Sequence, residues 1–538
     1  MARPRARLAA ADSLARSLLV FALAGSLSSC GASHGDHQVF VTMGDNVFSP
    51  REIRVPVGTR IHFRNMGGTI HDAVSVDGSW STLGEDGQGM GVGKWTEVAF
   101  DTPGVHPFYC PYHATKDASN GMVGVVVVGD VDYSPGGRAG GAMDVVDRAS
   151  GTVRRVPEEY PTIQSGVDAA APGDLVLIAE GTYHEEIYVT TPSITLRGTE
   201  RNRVVLDGEF QRANGILVFA NAVAVENLTV RHYTLNGILW SGVTGYRGSY
   251  LTAVNNGDYG IYAFDSYEGV LDHSYGSGSP DAGFYIGGCH PCKTILDSVI
   301  AERNGGGYSG TNSGGDLYVI NSIWRDNRGS GISPNTFDVE PDPPERETII
   351  VGNVITGNGT GISIAGGQHN LVERNLIQGN RTGIMLLAVK DQRYYPSTHN
   401  VIRDNVILES SRIDLATSGL GNVGNCYQNN VHRASIPSGL QALQPCEGFR
   451  LPVVGDLRAY FGSLAGRAAL MNGRDSPQTI TWWKTVPHPD PQPTMPLGAE
   501  APVRPPVHPF DGYPVDLEAI VTPEPVRPTA LAASRGRP

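Results

Sequence analysis

Residues 38–129 alternate between apolar and polar side chains in short runs, which is the pattern of half-buried β-strands. In residues 48–63, the apolar positions recur at Ile53, Val55, Val57, Ile61 and Phe63. Further runs at residues 96–100 and 104–109 precede a row of valines that ends at Val128. The pattern predicts a small β-sandwich over residues 38–129.

A different pattern follows, and it repeats. Glycine followed by a large apolar residue recurs in steps of 22 to 24 residues, with one step of 30, at Gly215, Gly237, Gly260, Gly283, Gly307, Gly331, Gly361 and Gly383. Asparagines such as Asn304, Asn327, Asn358 and Asn380 mark the turns between the runs. Such a period is typical of a solenoid whose coils stack about 4.8 Å apart. Asparagines at equivalent bends are expected to hydrogen-bond their copies on neighbouring coils.

The segments that flank the repeat have their own composition. Residues 130–154 are predicted to form a Gly-rich linker, and residues 155–450 the solenoid. Thr162 can cap a short helix that closes the first coil, because Ile163, Val167 and Ala170 share one face. Residues 451–538 are Pro-rich, which predicts an irregular tail that packs along the solenoid.

A candidate metal site lies in the sandwich. Cys110-Pro-Tyr-His113 is followed by Met122, and His71 lies upstream. Two His, one Cys and a weak Met form the ligand set of a blue-copper centre. A buried, inert Cys110 and a zinc site are the alternatives, although a closed zinc site uses more Cys or His than are clustered here.

On these residues, the segment 38–129 resembles the cupredoxins of the plastocyanin/azurin family. The resemblance implies one type 1 copper ion held by His71, Cys110, His113 and Met122. Eight residues separate His113 from Met122, more than in the plastocyanin pattern, so residues 114–120 must loop out. A backbone oxygen is the rival to Met122 as axial ligand.

The opening of the second domain is also distinctive. Tyr160-Pro-Thr-Ile-Gln164, Pro172-Gly-Asp174 and Gly181-Thr-Tyr183, with the repeat, resemble the right-handed parallel β-helix proteins of the pectin-lyase-like superfamily. The branch concerned includes the periplasmic copper-maturation proteins of nitrous oxide reductase. The expected fold class is therefore all-β, a cupredoxin sandwich followed by a right-handed parallel β-helix. This fold supports many activities and does not fix one.

The first 30 residues predict export. Four arginines precede an apolar core at residues 18–24 that is too short to span a bilayer. Leu27-Ser-Ser-Cys30 resembles a bacterial lipobox, which implies lipid attachment at Cys30 and membrane contact only through that anchor. A plain secretory signal is the alternative. Removing this segment, which carries four Arg and one Asp, lowers the formal net charge from −13 to −16 and argues against nucleic-acid partners.

Four further cysteines lie in the second domain, which would face an oxidising compartment. We expect Cys426 to pair with Cys446. Cys289-His-Pro-Cys292 is interpreted as a local disulfide, with a redox dithiol or an accessory metal site as the alternatives.

The solenoid carries two candidate sites for a saccharide. Asp258 and Asp281 lie one coil apart, and the strand alternation points Tyr262 and Tyr285 outwards. The carboxylates also suit Ca²⁺ or glycoside hydrolysis, while turn-forming Asp and a stiffening Tyr ladder are the alternative.

The second candidate is a pair of insertions expected at one corner, about 10 Å apart. One carries Asp338 and Glu340, and the other carries Arg393 and Tyr394. They could wall a groove, or simply be surface loops joined by salt links. No catalytic residues can be assigned. Three functions stay open: electron transfer to an unidentified redox partner, a carbohydrate-active enzyme, and copper storage or delivery to an acceptor.

Overall fold

The computed structural model describes residues 39–83, 89–134, 151–338, 340–471, 481–496 and 508–525. The predicted signal segment with Cys30, and residues 135–150 of the predicted linker, lie outside the described residues. No helix in the described part of the chain has both the length and the apolar character needed to cross a membrane.

The first domain is a β-sandwich of two four-stranded sheets. Its strands are β1 (Val39–Gly44), β2 (Val47–Ser49), β3 (Glu52–Val55), β4 (Thr59–Asn65), β5 (Val74–Ser75), β6 (Trp95–Phe100), β7 (Gly104–Ala114) and β8 (Gly121–Val128). One sheet has the order β2-β1-β4-β6 and the other β3-β8-β7-β5. The alternation predicted from the sequence places Ile53, Val55, Ile61 and Phe63 in the core between the sheets. The predicted sandwich is confirmed.

The hairpin of β7 and β8 carries the candidate ligand loop. Regular pairing is interrupted between Tyr109 and Ala114, so the Cys110–His113 segment departs from the ladder. Irregular pairing of this kind re-aims side chains next to functional sites. The Thr115 N–H donates to the Asn120 carbonyl at 3.0 Å and closes the hairpin. The loop expected at residues 114–120 is therefore a compact turn that leads the chain back to Met122.

The second domain is a parallel β-helix, and its coils contribute strands to three parallel sheets. The first sheet comprises Val153–Val156, Leu175–Ile178, Thr195–Gly198, Ala224–Glu226, Arg247–Ser249, Gly269–Asp272, Thr294–Asp297, Leu317–Ile320, Thr348–Val351, Leu371–Glu373, Val401–Arg403 and Cys426–Gln428. The second comprises Gly181–Tyr183, Val204–Asp207, Thr229–Arg231, Thr252–Val254, Tyr275–Ser277, Ile300–Glu302, Ile323–Arg325, Val354–Thr356, Leu376–Gln378 and Val406–Leu408. The third comprises Ile187–Val189, Ile216–Val218, Ile238–Ser241, Tyr259–Phe264, Ala282–Gly287, Gly306–Thr311, Ser330–Asn335, Thr360–Ala365, Thr382–Leu387, Ile413–Ser418 and Ser435–Ile436.

The repeated glycines have a steric explanation. A Cβ atom at Gly237 would lie 2.5 Å from the carbonyl oxygen of Gly260 on the next coil. The same clash recurs between Gly260 and Gly283 at 2.6 Å, and at Gly307. Coils that stack this closely have no room for a side chain at that corner, which explains why the repeat was visible in the sequence.

The predicted asparagine ladder is confirmed inside the solenoid. The Nδ2 atom of Asn304 donates to Oδ1 of Asn327 at 3.1 Å, that of Asn327 to Asn358 at 2.9 Å, and that of Asn358 to Asn380 at 3.0 Å. These buried amides therefore satisfy one another from coil to coil, as buried polar groups must.

The ends of the solenoid are closed by different devices. Helix α1 (Ile163–Asp168) is capped by Thr162, whose side chain and that of Ser165 bond reciprocally to backbone N–H groups, as in a capping box. Helix α2 (Leu440–Leu443) lies near the last coil, where a disulfide joins Cys426 to Cys446. A second disulfide joins Cys289 to Cys292.

The C-terminal segment packs along the solenoid, but the prediction that it is irregular throughout is wrong. Helix α3 spans Leu457–Met471, and a 3₁₀ turn spans Trp482–Thr485. The Asp456 carboxylate accepts the Ala459 N–H at 3.0 Å and therefore caps the start of α3. The many prolines that follow this helix in the sequence led to the prediction of an irregular segment. Beyond it, the Tyr513 hydroxyl donates to Asp297 at 2.6 Å on the first sheet.

Candidate metal centre

Three of the four predicted copper ligands come together in the sandwich. The ligand atoms of His71, Cys110 and His113 all lie within 4.8 Å of one another, and all three side chains are buried. Within the described ranges, no other group of three His, Cys, Asp or Glu side chains is this close. Met122 is fully buried in the same core cluster as Cys110.

Backbone pairing holds the upstream histidine in place. His71 exchanges backbone hydrogen bonds with Met90, at 3.2 and 2.8 Å. The Asn65 side chain donates to the Thr69 and Met90 carbonyls, each at 2.7 Å, and accepts the Gly67 N–H at 3.0 Å. Asn65 ends strand β4 and thus fixes the loop that brings His71 to Cys110. Sequence reasoning did not identify this role of Asn65.

Burial and hydrogen bonding shift the pKa of the Cys110 thiol in opposite directions. Burial raises the pKa of the Cys110 thiol to about 12, although the backbone N–H groups of Asp72, Tyr112 and His113 face the sulfur and favour the thiolate. Burial also holds the pKa of His113 well below its usual range, so this imidazole is neutral. A metal ion that takes the sulfur must therefore displace its proton.

The two histidines present their ring nitrogens differently. His71 Nε2 lies 3.1 Å from Asp45 Oδ1, while His71 Nδ1 is buried and has no hydrogen-bond partner among the described residues. His113 Nδ1 lies 3.4 Å from Cys110 Sγ. A carboxylate on the far nitrogen of a metal-binding histidine fixes its tautomer and orientation. A Cβ atom at Gly67 would lie 2.4 Å from Asp45 Oδ1 and 2.7 Å from His71 Nε2, so this contact requires glycine.

These features fit a copper ion. In the described part of the chain, no hydrogen-bonding group satisfies the buried Nδ1 of His71, and one thiolate with two imidazoles is a donor set that copper prefers. A closed structural zinc site would need a fourth strong ligand, and Met122 is only a weak one.

The solenoid covers the ligand end of the sandwich. The Asn214 side chain donates to the Tyr112 carbonyl at 2.9 Å, in the middle of the ligand loop. A Cβ atom at Gly121 would lie 2.9 Å from the Phe219 ring. Val47 of strand β2 belongs to one buried apolar cluster with Leu217, Phe219, Leu239, Tyr259, Tyr262, Phe264, Ala282 and Tyr285 of the third sheet. No sequence pattern links these residues, and sequence reasoning missed the interface.

The prediction of an open saccharide groove at Tyr262 and Tyr285 is wrong. Tyr262 and Tyr285 are register partners and do point away from the solenoid interior, as expected. Both are nevertheless 0% exposed, because the sandwich packs over this face of the third sheet. Asp258 is also buried. An outward row on a sheet is open to a sugar only if no other domain covers it.

The carboxylates of the two candidate saccharide sites lie close together beneath the interface between the sandwich and the solenoid. They are Asp258 and Asp281 of the first site and Glu340 of the second. Burial raises the pKa of Asp258, Asp281 and Glu340, and the charge of Asp45 raises each further. The Tyr285 hydroxyl donates to Glu340, and Asn46 donates to Tyr262. No three ligand atoms of this acidic group lie within 4.8 Å of one another among the described residues. Calcium at this place therefore stays a prediction.

The two insertions are joined by salt links, which was the alternative to a groove. Arg393 Nε lies 2.6 Å from Asp338 Oδ1, and the Asp338 N–H donates to Asp391 at 2.8 Å. A short hairpin, Val389–Lys390 with Tyr394–Tyr395, shapes the second insertion. The Tyr394 hydroxyl donates to the Leu420 carbonyl at 2.5 Å. The first insertion also delivers Glu340 to Tyr285, so it contributes to the domain interface.

Two family models match the chain. A cupredoxin-like domain matches residues 17–128, and a periplasmic copper-binding protein family (NosD) matches residues 219–435. The first match contains His71, Cys110 and His113, and the second covers the central coils of the solenoid. Comparison with curated protein sequences found no match.

Solved structures are similar to one domain or the other. The A-module of the mannuronan C-5 epimerase AlgE4 from Azotobacter vinelandii is 16% identical, with coverage of 55% of this chain and 95% of its own and a TM-score of 0.42. The pectate lyase Pel9A is 14% identical over 50% of this chain and 70% of its own, with a TM-score of 0.31. A reduced amicyanin variant is 21% identical over 18% and 85%, with a TM-score of 0.15. These likenesses say nothing about activity. The chain joins a cupredoxin-like domain to a parallel β-helix that carries the NosD family match.

Proposed function

We propose that this chain is an extracytoplasmic copper protein whose cupredoxin-like domain holds one type 1 ion and transfers single electrons. The proposal depends above all on the buried group of His71, Cys110 and His113. The two family matches support copper and a location outside the cytoplasm. Copper bound by a thiolate and two imidazoles exchanges one electron between Cu(I) and Cu(II).

The protein residues contribute rigidity to this function. His71 is held by two backbone bonds to Met90 and by Asp45, and the Tyr112 carbonyl is tied to the solenoid through Asn214. Ligands whose positions are fixed by packing and by hydrogen bonds need little rearrangement when the charge of the site changes. Met122 is proposed as the weak axial ligand, with a backbone oxygen as its rival.

Location and partners are further parts of the proposal. Lipid attached at Cys30 would anchor the chain outside the cytoplasmic membrane. A redox partner, or a copper acceptor, would approach the sandwich from a side other than the Cys110–His113 loop, because the solenoid covers that end. A polysaccharide ligand would have to use a surface other than the buried Tyr262 and Tyr285.

A Cu(II) titration of the chain lacking residues 1–30 tests the copper site. We expect one equivalent to produce an intense thiolate-to-copper absorption in the visible range, which is reversibly bleached by a reductant. Cys110→Ser should abolish the absorption, whereas Met122→Leu should retain it with a shifted potential. A chain that binds copper without visible colour would contradict the type 1 assignment.

Copper delivery is the second candidate function, because the NosD match covers residues 219–435. Electron transfer predicts that the ion stays bound through repeated oxidation and reduction. Delivery predicts that Cu(I) leaves the loaded chain faster when a copper acceptor protein is present than when only a chelator is present. The chelator captures ions that have dissociated on their own and therefore gives the rate of simple dissociation. Measuring copper loss under both conditions separates the two functions.

A further inference from the structure

Two histidines outside the sandwich, His232 and His488, point their ring nitrogens at each other. His232 follows the second-sheet strand Thr229–Arg231, and His488 belongs to the C-terminal segment. Their Nε2 atoms lie 3.2 Å apart, although 256 residues separate them in the chain. The rings are inclined by 79° with centroids 5.2 Å apart, so they meet at their edges and are not stacked.

The other ring nitrogen of His232, Nδ1, faces a carboxylate. His232 Nδ1 lies 3.1 Å from Asp207 Oδ1, while Asp207 Oδ2 pairs with Arg231 Nε at 2.8 Å. With the proton shared with the carboxylate on Nδ1, the Nε2 lone pair of His232 accepts the Nε2–H of His488. An ion that binds both nitrogens replaces this hydrogen bond, and the His488 proton then sits on its Nδ1. This carboxylate–histidine arrangement is the one that orients metal-binding imidazoles.

We propose that His232 and His488 form a second copper site, on the solenoid. Two nitrogens bound at about 2.05 Å to one ion lie about 2.9 Å apart at the right angle of a tetragonal Cu(II) site and about 3.3 Å apart at a tetrahedral angle, and the 3.2 Å between the two Nε2 atoms falls between these values. Imidazole donors suit copper, and Cu(II) binds such donors more tightly than the other divalent first-row ions. His488 is exposed, so an ion can enter from solvent.

The site differs in kind from the cupredoxin centre. No third His, Cys, Asp or Glu ligand atom completes the pair within 4.8 Å among the described residues, so water fills the other positions. Such a site binds a pale, exchangeable Cu(II) ion without a thiolate band. Because His488 lies on the C-terminal segment, the bound ion would also pin that segment to the second sheet. The proposal uses none of the residues of the type 1 site.

The chain supplies a matched control. His369 and His399 are also close, with ring centroids 4.9 Å apart, but their planes differ by only 9°. Nitrogen lone pairs lie in the ring plane, so stacked imidazoles direct them side by side and cannot converge on one ion. A variant at His399 removes an imidazole without touching the proposed chelate.

The test compares Cu(II) binding by the chain lacking residues 1–30 and by its His232→Gln, His488→Gln and His399→Gln variants. Calorimetry measures affinity, and electron paramagnetic resonance counts nitrogen ligands. We expect wild type and His399→Gln to bind an equivalent beyond the type 1 ion with two-nitrogen coupling. Each of the other two variants should weaken that equivalent by more than about 100-fold, which exceeds the loss expected from a second-shell change.

Each result bears on the proposal separately from the type 1 site. Loss of the second equivalent in both His232→Gln and His488→Gln, with the visible absorption unchanged, supports it. An unchanged second equivalent in either variant, an equal loss in His399→Gln, or no second equivalent in wild type would overturn it. Since His488 is exposed, its replacement leaves the fold intact, and thermal unfolding of each apo variant checks this. The Cys110→Ser variant should still bind the second ion.

Discussion

Replacing Asp45 by Asn isolates the contribution of one charge to the copper site. Asp45 Oδ1 accepts the Gly68 N–H at 2.7 Å and faces His71 Nε2 at 3.1 Å. Asparagine has the same shape and can present its oxygen to both groups. The substitution therefore keeps the two hydrogen bonds and removes only the negative charge.

The expected effect on affinity follows from the strength of these bonds. Hydrogen bonds to charged groups contribute about 1.5–3 kcal/mol and neutral ones about 0.5–1.5 kcal/mol, so the change is about 1 kcal/mol. Copper affinity should fall about 5-fold, since 1.4 kcal/mol corresponds to a factor of 10. Asp45→Ala removes the partner altogether, and the loss should be about 10–100-fold.

The same substitution should not destabilise the metal-free protein. The Asp45 charge raises the pKa of Asp258, Asp281 and Glu340, which means that it repels them. Asparagine removes that repulsion wherever these carboxyls are ionised, which for Asp281, whose pKa is raised to about 7, begins near neutral pH. Stability and copper affinity should therefore move in opposite directions, which a general disruption of the fold would not produce.

The assay is competition for copper with a chelator of known affinity, together with thermal unfolding of the apo protein. Wild type, Asp45→Asn and Asp45→Ala are compared at one pH and salt concentration. Copper binding by Asp45→Asn as tight as that of wild type would show that the charge contributes nothing. A lower unfolding temperature of Asp45→Asn would show that repulsion in the acidic group is absent.

Three other substitutions test separate features. Gly67→Ala should weaken copper binding about 10–100-fold in the same competition assay, because its Cβ would lie 2.4 Å from Asp45 Oδ1. Gly462→Ala should not, because its Cβ would meet no described atom within 4 Å. Asn358→Ala leaves the Asn327 N–H and the Trp324 carbonyl without their 3.0 and 2.9 Å partners, so urea unfolding should show a loss of about 2–6 kcal/mol with an unchanged copper spectrum. Burial raises the pKa of Glu345 to about 8, so the folded protein keeps a proton that the unfolded chain releases above its ordinary pKa of 4.5. The free energy of unfolding should therefore fall by up to about 1.4 kcal/mol per pH unit between these values, and Glu345→Gln should flatten that slope; an unchanged slope would contradict the assignment.

Much of the fold could be predicted because its signals are local. The glycine repeat marks a corner where a Cβ would strike the next coil, as at Gly237 and Gly260, so the register of the third sheet was correct. Thr162 caps the first helix through contacts within three residues. Helix α3 was not predicted, because the prolines from Pro487 onwards indicated an irregular tail for the whole C-terminal segment.

The candidate site was predictable only in part. Cys110 and His113 lie three residues apart on one strand, so their proximity follows from the chain itself. The roles of Asp45 and Gly67 did not follow, because a turn residue and a glycine carry no sign of the histidine that they contact. The prediction of a saccharide groove was wrong because it, too, depended on a contact that leaves no local sign in the sequence. Tyr262 and Tyr285 are covered by a domain more than 100 residues away in sequence.

The sequence by itself determined the two kinds of domain and the candidate copper ligands. Alternation with period two, a repeat of 22–24 residues and a Cys–His loop act over short distances, where chain geometry leaves few choices. Only the tertiary structure decided that the solenoid covers the ligand loop, that the acidic residues meet beneath the sandwich, and that His488 faces His232. These contacts join residues from about 100 to more than 200 positions apart, and they arise from how complementary surfaces pack, which no local pattern records.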